Sequence, residues 1–151
     1  MVKVAIGLGS NLGDRRKNIR TAWERLSDDF LMDAKLSRIR ESEPWGVTDQ
    51  PDFLNAVGVG MSLWKPPGIV NYLKNLEREL GRVETIRFGP RFIDLDLIAY
   101  GEEIWNEGGV QVPHPRMHER DFVLIPFQEL WPDWKHPVIS DFHLPRTSPT
   151  R

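Results

Sequence analysis

Phe92-Ile93-Asp94-Leu95-Asp96-Leu97-Ile98-Ala99-Tyr100, closed by a turn at Gly101, decides how the rest of the chain is read. Nine residues rich in aliphatic and aromatic types, bounded by Pro90 and Gly101, are too short for a buried helix and read as a strand. Working back from it, Pro66-Pro67-Gly68 opens a helix over about 66–80, with Ile69, Val70, Leu73, Leu76 and Leu80 on one face and Gly81 as a C-terminal cap. Before that helix, Phe53, Asn55, Val57, Val59 and Met61 alternate with Leu54, Ala56, Gly58 and Gly60, the two-residue period of a strand over 52–62. A weaker alternation spans 34–42. At the start, Val2, Val4, Ile6 and Leu8 alternate with Lys3, Ala5, Gly7 and Gly9; a turn and a capping Asp14 then lead into a helix with Ile19, Ala22, Trp23 and Leu26 at helical spacing, ending near 27–29. The order β-α-β-β-α-β is that of a ferredoxin-like α+β unit, an antiparallel sheet with both helices on one face. Residues 112–131 are expected to add short helical pieces, with Pro126 at a first helical position. One domain over 1–131 is expected, with 132–151 its irregular, proline-bearing tail.

The composition narrows the function classes. The 151 residues are 40% hydrophobic and 28% charged, ordinary for one globular domain. A net charge of −2 offers no single-sign field for nucleic acid or a membrane surface. The absence of cysteine excludes a disulfide framework, a thiolate metal site and a cysteine nucleophile. The N-terminus carries no signal-like run, and a cytoplasmic monomer is expected.

Asp94 and Asp96, two apart on one strand, project to the same face with Cα atoms about 6.6 Å apart. Such oxygen ligands suit Mg²⁺ when substrate phosphates complete the octahedron. By strand pattern alone the pair is equally well the solvated face of a one-sided sheet. The neighbours favour the first reading: Arg82, Arg87 and Arg91 precede the pair, while His114, Arg116, His118 and Arg120 follow it, a cationic surround for a transferring phosphoryl group. Gly7-Leu8-Gly9-Ser10-Asn11-Leu12-Gly13 lacks the Gly-Lys-Ser/Thr ending of a Walker loop, and its third glycine is one position late for a dinucleotide fingerprint; it reads as a tight strand-to-helix turn. Four histidines without a cysteine partner do not make a zinc site. Phe53 and Asn55 share a strand face, and with Trp45, Phe88 and Phe122 they describe a pocket for a flat heterocycle, against the alternative that Phe53 and Phe122 belong to the core. A two-metal nuclease and an RNA-binding module of the same strand order are the rivals; the neutral charge balance opposes the former, and aspartates in place of displayed rings on the central strand oppose the latter.

Three blocks carry a resemblance to a known family: Gly9-Ser10-Asn11-Leu12-Gly13, Asp49-Gln50-Pro51-Asp52-Phe53-Leu54-Asn55-Ala56, and Arg87-Phe88-Gly89-Pro90-Arg91-Phe92-Ile93-Asp94-Leu95-Asp96-Leu97 continuing to Val112-Pro113-His114-Pro115-Arg116-Met117. Over about residues 3–132 the chain resembles the 6-hydroxymethyl-7,8-dihydropterin pyrophosphokinases of folate biosynthesis, which move a pyrophosphoryl group from ATP to a pterin alcohol and release AMP. The resemblance implies that Asp94 and Asp96 hold two Mg²⁺ ions and that Arg82 and Arg91 join them in catalysis. It implies a pterin site of Ser42, Pro44, Trp45, Phe53, Asn55, Phe88, Arg120 and Phe122. For ATP it implies Lys74, Glu77, Arg87, Arg91, Leu97, Gln111, His114 and Arg120, with the segment 82–92 closing as a lid. Phe88, Pro115, Lys74, Glu84 and Gly109 depart from the enterobacterial pattern at adenine and phosphate contacts, whereas the metal pair and pterin residues match it.

Overall fold

The computed structural model describes residues 1–44, 46, 48–81, 91–139 and 142–144. Trp45, Arg82, Glu84, Arg87, Phe88 and nearly all of the expected lid lie outside them. The described elements are β1 (Val2–Ser10), α1 (Arg15–Asp29), β2 (Met32–Leu36), β3 (Arg40–Ser42), β4 (Phe53–Ser62), α2 (Pro66–Glu79), β5 (Asp94–Tyr100), β6 (Trp105–Glu107), β7 (Val110–Val112), a 3₁₀ turn at Met117–Glu119 and α3 (Asp121–Leu130). The expected ferredoxin-like α+β arrangement is present as an antiparallel sheet in the order β2-β4-β1-β5, with β3 also paired to β4.

Local chemistry explains the helix boundaries. Asp14 accepts a hydrogen bond from the Lys17 N–H, satisfying one of the donors that open α1. Pro66 starts α2 where its missing N–H costs nothing, and Gly81 follows at φ +93°, a backbone conformation that favours glycine. Ile19, Ala22, Trp23 and Leu26 of α1 and Ile69, Leu73 and Leu76 of α2 bury against Val4, Ile6, Leu8, Leu95 and Leu97, forming one core on one face of the sheet.

Two expectations need correction, and two features lay outside the sequence reading. The segment expected as one strand over 34–42 is two strands, because residues 37–39 leave the ladder: Ser37 donates its N–H to the Val57 carbonyl, and its hydroxyl takes the Val57 N–H. Pro126 lies inside α3 and not at its start, since the helix begins at Asp121, where the Arg120 carbonyl accepts from Val123 and Leu124; the proline removes only the bond that would return to Phe122. A hairpin of β6 and β7 was legible but missed, for its Gly108-Gly109 turn has two positive φ angles, 60° and 80°, a strong hairpin signal. Finally, α3 does not join the other helices. With Met117, Trp131 and Trp134 it covers the opposite face over Ala5, Val57, Val59, Ile98 and Ala99 as a second core. The described part of the expected tail belongs to this layer: Trp134 is buried, its indole N–H donates to the Gly101 carbonyl, and Phe142 and Leu144 pack alongside.

Candidate active site

Where α3 stops covering its sheet face, a cavity of about 410 Å³ opens over the ends of β1, β4 and β5. The register builds its floor. Gly9 lies opposite Asn55 on one side and Asp94 on the other, while Gly7 lies opposite Val57 and Asp96. Residues directly opposed across strands share a face, so the two aspartates and Asn55 flank a strip bare of side chains. A Cβ built on Gly9 would sit 3.1 Å from Asn55 Oδ1 and 3.5 Å from Phe53 Cδ1; one on Gly7 would sit 3.2 Å from Ile98 Cδ1. The glycines leave room where any other residue would fill the floor.

Of the residues expected at the site, Ser42, Phe53, Asn55, Arg91, Asp94, Asp96, His114, Arg120 and Phe122 all line this cavity. Asn55 is buried and donates its Nδ2–H to Ser42 Oγ, which faces it from the neighbouring strand β3. Phe53 comes from the first position of β4 and Phe122 from the first turn of α3. The Arg120 guanidinium lies 5.7 Å from the Phe122 ring centroid, within cation–π range. Burial lowers its pKa, Asp96 and Asp94 oppose that shift, and the neighbouring Arg116 adds to it.

His114 is brought alongside β5 by its backbone N–H, which donates to the Ile98 carbonyl at 2.8 Å. Its Nδ1 accepts from the Arg116 N–H, leaving Nε2 as the N–H of a neutral ring. Burial first, then Arg120 and Arg116, push its pKa down to about 4. The expected cation is therefore a neutral donor in the free protein. An imidazole NMR titration of the ligand-free chain is expected to show no His114 transition between pH 5 and 8; a midpoint near 6.5 would mean that the ring is solvated. The same shift makes the fold less stable as pH falls from 6.5 to 4, because over that range the unfolded chain takes up a proton that the folded chain refuses.

Other expected residues lie elsewhere. Lys74 is exposed on α2 and Gln111 is exposed on β7, and neither lines the cavity. Leu97 packs in the core under α1 and α2, so its backbone alone is available to a ligand. Glu77 is buried on the helix side, and its Oε2 accepts the Leu95 N–H at 2.8 Å; it grips the backbone between the two aspartates from behind the sheet. Pro44 is described but does not line the cavity.

Arg116, expected in the cationic surround, lines the cavity and completes its rim, whereas sequence reasoning missed the two-glycine floor. It also missed the role of Asn11. That side chain is buried, donates to Gln50 Oε1 and the Pro51 carbonyl at 2.9 Å each, and accepts from the Arg91 N–H at 2.8 Å. It thus ties the approaches to β4 and β5 together beneath the cavity. The glycine floor was readable as an alternation, Gly7 and Gly9 being on the same strand face; the Asn11 contacts join residues up to 80 apart in sequence and had no local signal.

The donor set bears on the metal. No group of three or more histidine, cysteine, aspartate or glutamate side chains gathers among the described residues. Asp94 and Asp96 supply oxygens only, so they fit a hard cation that keeps several positions for substrate oxygens, the usual habit of Mg²⁺. No described helix is long and apolar enough to cross a membrane.

Comparison with known proteins agrees with the geometry. The family model for 7,8-dihydro-6-hydroxymethylpterin-pyrophosphokinase matches residues 5–132. The chain is 39% identical over 138 residues to a 2-amino-4-hydroxy-6-hydroxymethyldihydropteridine pyrophosphokinase of Aquifex aeolicus, covering 91% of this chain and 86% of the relative. It is 38% identical over 146 residues to the protein of the same name from Pseudomonas aeruginosa, covering 95% and 88%. It is also 44% identical over 135 residues to the folic acid synthesis protein fol1 of Pneumocystis carinii, covering 89% of this chain but only 18% of that longer protein.

Proposed function

The chain belongs to the 7,8-dihydro-6-hydroxymethylpterin-pyrophosphokinase family, and from that premise we infer that the cavity over Gly7 and Gly9 is where its two substrates meet. The reaction is transfer of a pyrophosphoryl group from ATP to hydroxymethyldihydropterin, a step of folate biosynthesis. The observation that carries the placement is the register across β4, β1 and β5, which sets Asn55 and the Asp94/Asp96 pair on either side of the glycine strip.

On this reading the flat pterin lies between the Phe53 and Phe122 rings, and the bare floor lets it approach the sheet. Asn55, with one N–H held by Ser42, keeps Oδ1 and its second N–H for the ring edge. Ser42 and Arg120 belong to the same wall, and Pro44, Trp45 and Phe88 are assigned to it by the resemblance alone. Asp94 and Asp96 hold two Mg²⁺ ions. Those ions supply charge neutralisation along the phosphates when bound. Arg91, Arg116 and Arg120 face the phosphate oxygens as fixed donors, neutral His114 adds one N–H through Nε2, and Arg82 and Arg87 are assigned to the phosphates by the resemblance alone. Lys74, Gln111 and the Leu97 backbone are assigned to the nucleotide by the resemblance alone, while Glu77 steadies the strand that carries the acids.

Chemistry here is positioning and electrostatics. The pterin hydroxymethyl oxygen attacks the β-phosphorus of ATP, the bond to the α-phosphate oxygen breaks, and AMP leaves. No covalent intermediate on the protein is required. Action as a monomer in the cytoplasm is part of this reading and rests on the sequence expectations alone.

The test is product analysis. Protein, ATP, Mg²⁺ and 6-hydroxymethyl-7,8-dihydropterin are expected to give AMP and the pterin diphosphate in equal amounts. Stoichiometric ADP would replace this reading with ordinary phosphoryl transfer.

A further inference from the structure

We propose that Glu129, on the last turns of α3 and outside the cavity, is a positioning residue that holds β3 in the single register presenting Ser42 to Asn55. The inference rests on the reading that Asn55 and Phe53 meet the pterin.

The register itself is the starting point. Leu36 of β2 opposes Gly58, whereas Arg40 of β3 opposes Asn55. Four steps along one edge therefore match three along β4, so one extra residue is inserted at 37–39. Because side chains alternate with a period of two, one residue of slip exchanges the faces of everything that follows. Without the insertion, Ile39 would oppose Asn55 and Glu41 would oppose Phe53. With it, Arg40 and Ser42 turn to the cavity face. Ile39 turns to the opposite face and packs against the core under α1, and Glu41 pairs there with Arg15 of α1 at 3.2 Å. A slip would thus replace the hydroxyl that holds Asn55 with a carboxylate beside the heterocycle.

What holds the insertion comes from α3. Glu129 Oε2 accepts the Arg38 N–H at 3.0 Å, inside the inserted segment, and its Oε1 accepts from Nη2 of Arg40, the residue directly opposite Asn55, at 2.6 Å. Both are charge-assisted bonds to one carboxylate, and the Glu129 side chain is three-quarters buried, with 25% of its surface exposed, so they exceed an exposed surface pair in worth. Ser37 secures the other side of the insertion through Val57. The same helix carries Phe122 on its first turn, so the carboxylate also ties together the two walls of the slot: α3 with Phe122, and β3 and β4 with Ser42, Asn55 and Phe53.

The experiment compares Glu129→Ala, Glu129→Gln, Ser42→Ala, Asn55→Ala and the double variant Ser42→Ala/Glu129→Ala in the full chain. The readouts are calorimetric affinity for the pterin alcohol and for ATP, steady-state KM and kcat, and hydrogen exchange of the Arg38 and Ser42 amides without ligand. Glu129→Ala is expected to weaken pterin affinity about tenfold and to speed exchange at both amides, with ATP affinity and kcat at saturating pterin within about twofold of the parent. Glu129→Gln keeps a carbonyl oxygen for Arg38 and is expected to lose about threefold, which keeps the test available if the alanine variant folds poorly. In the Ser42→Ala background, removing Glu129 is expected to add less than about twofold, because both act through one hydrogen bond to Asn55. Fully additive losses, or parent-like pterin affinity in both Glu129 variants while Asn55→Ala loses it, overturn the register lock. Parent-like pterin affinity in Asn55→Ala itself would instead overturn the pterin assignment of the slot.

Discussion

Asp94→Asn or Asp96→Asn is expected to lower turnover at least about a hundredfold, equivalent to roughly 2.7 kcal/mol of transition-state stabilisation. The amide has the shape of the acid it replaces, and each position lies opposite a glycine, so neither change disturbs packing. What is removed is one negative charge from a pair whose face is otherwise rimmed by Arg91, Arg116 and Arg120. An asparagine oxygen is a weaker ligand for a hard cation, and no third described acid gathers with the pair to take over. Thermal midpoints close to the parent's, with the loss persisting at saturating Mg²⁺, are the expected pattern. Near-normal turnover of either variant would return the pair to the bland alternative, a solvated sheet face.

That alternative illustrates which parts of the molecule were legible in sequence. Alternation in 2–9 and 52–62, a weaker one in 34–42, the bounded apolar run 92–100 and the helical spacing in α1 and α2 pointed to the β-α-β-β-α-β order, because these periods survive in the residue types even where α3 covers the second sheet face. Whether the Asp94 face met water or protein was a tertiary matter. Its answer, α3 and the Trp131-Trp134 segment folding over Ala5, Val57 and Ile98, depends on residues that follow the sheet and read as short pieces and an irregular tail. The interruption at 37–39 was invisible for a related reason. Ser37 replaces a backbone partner with its own hydroxyl, and Glu129 reaches Arg38 from 91 residues away. For the site, residue types and their order pointed to Asp94, Asp96, Arg91, His114, Arg120, Phe53, Asn55 and Phe122, and the family resemblance added Ser42; all nine meet in one cavity. His114 lines the cavity but was expected as a cation, since its neutral state follows from burial and two neighbouring arginines, which only the fold assembles.

Gly58→Ala is the substitution expected to damage the fold most, and it does so from the face opposite the cavity. Gly58 lies opposite Ile6 of β1 on one side and Leu36 of β2 on the other, under the indole of Trp23. A Cβ there would lie 2.3 Å from Trp23 Cη2 and Cζ3 and 2.8 Å from Cε3. The ring cannot simply swing away, because α1 is held by Ile19, Ala22 and Leu26, all fully buried, and Trp23 itself is only 9% exposed. The added methyl therefore forces the helix off the sheet or the ring out of its rotamer, an overpacking cost at the upper end of the usual range, about 3 kcal/mol. For a chain of this size that corresponds to a fall in Tm of about 6–12 °C. Because Trp23 belongs to the core under α1 and α2 and the cavity lies on the other face, the folded fraction is expected to bind the pterin and ATP with nearly parental affinity at low temperature. Trp23→Leu, destabilising by itself through the space it vacates, is expected to absorb much of the second loss, so that the double variant falls well short of the sum of the two. Thermal denaturation of the three variants checks this; strictly additive losses would mean that the indole does not rest on Gly58.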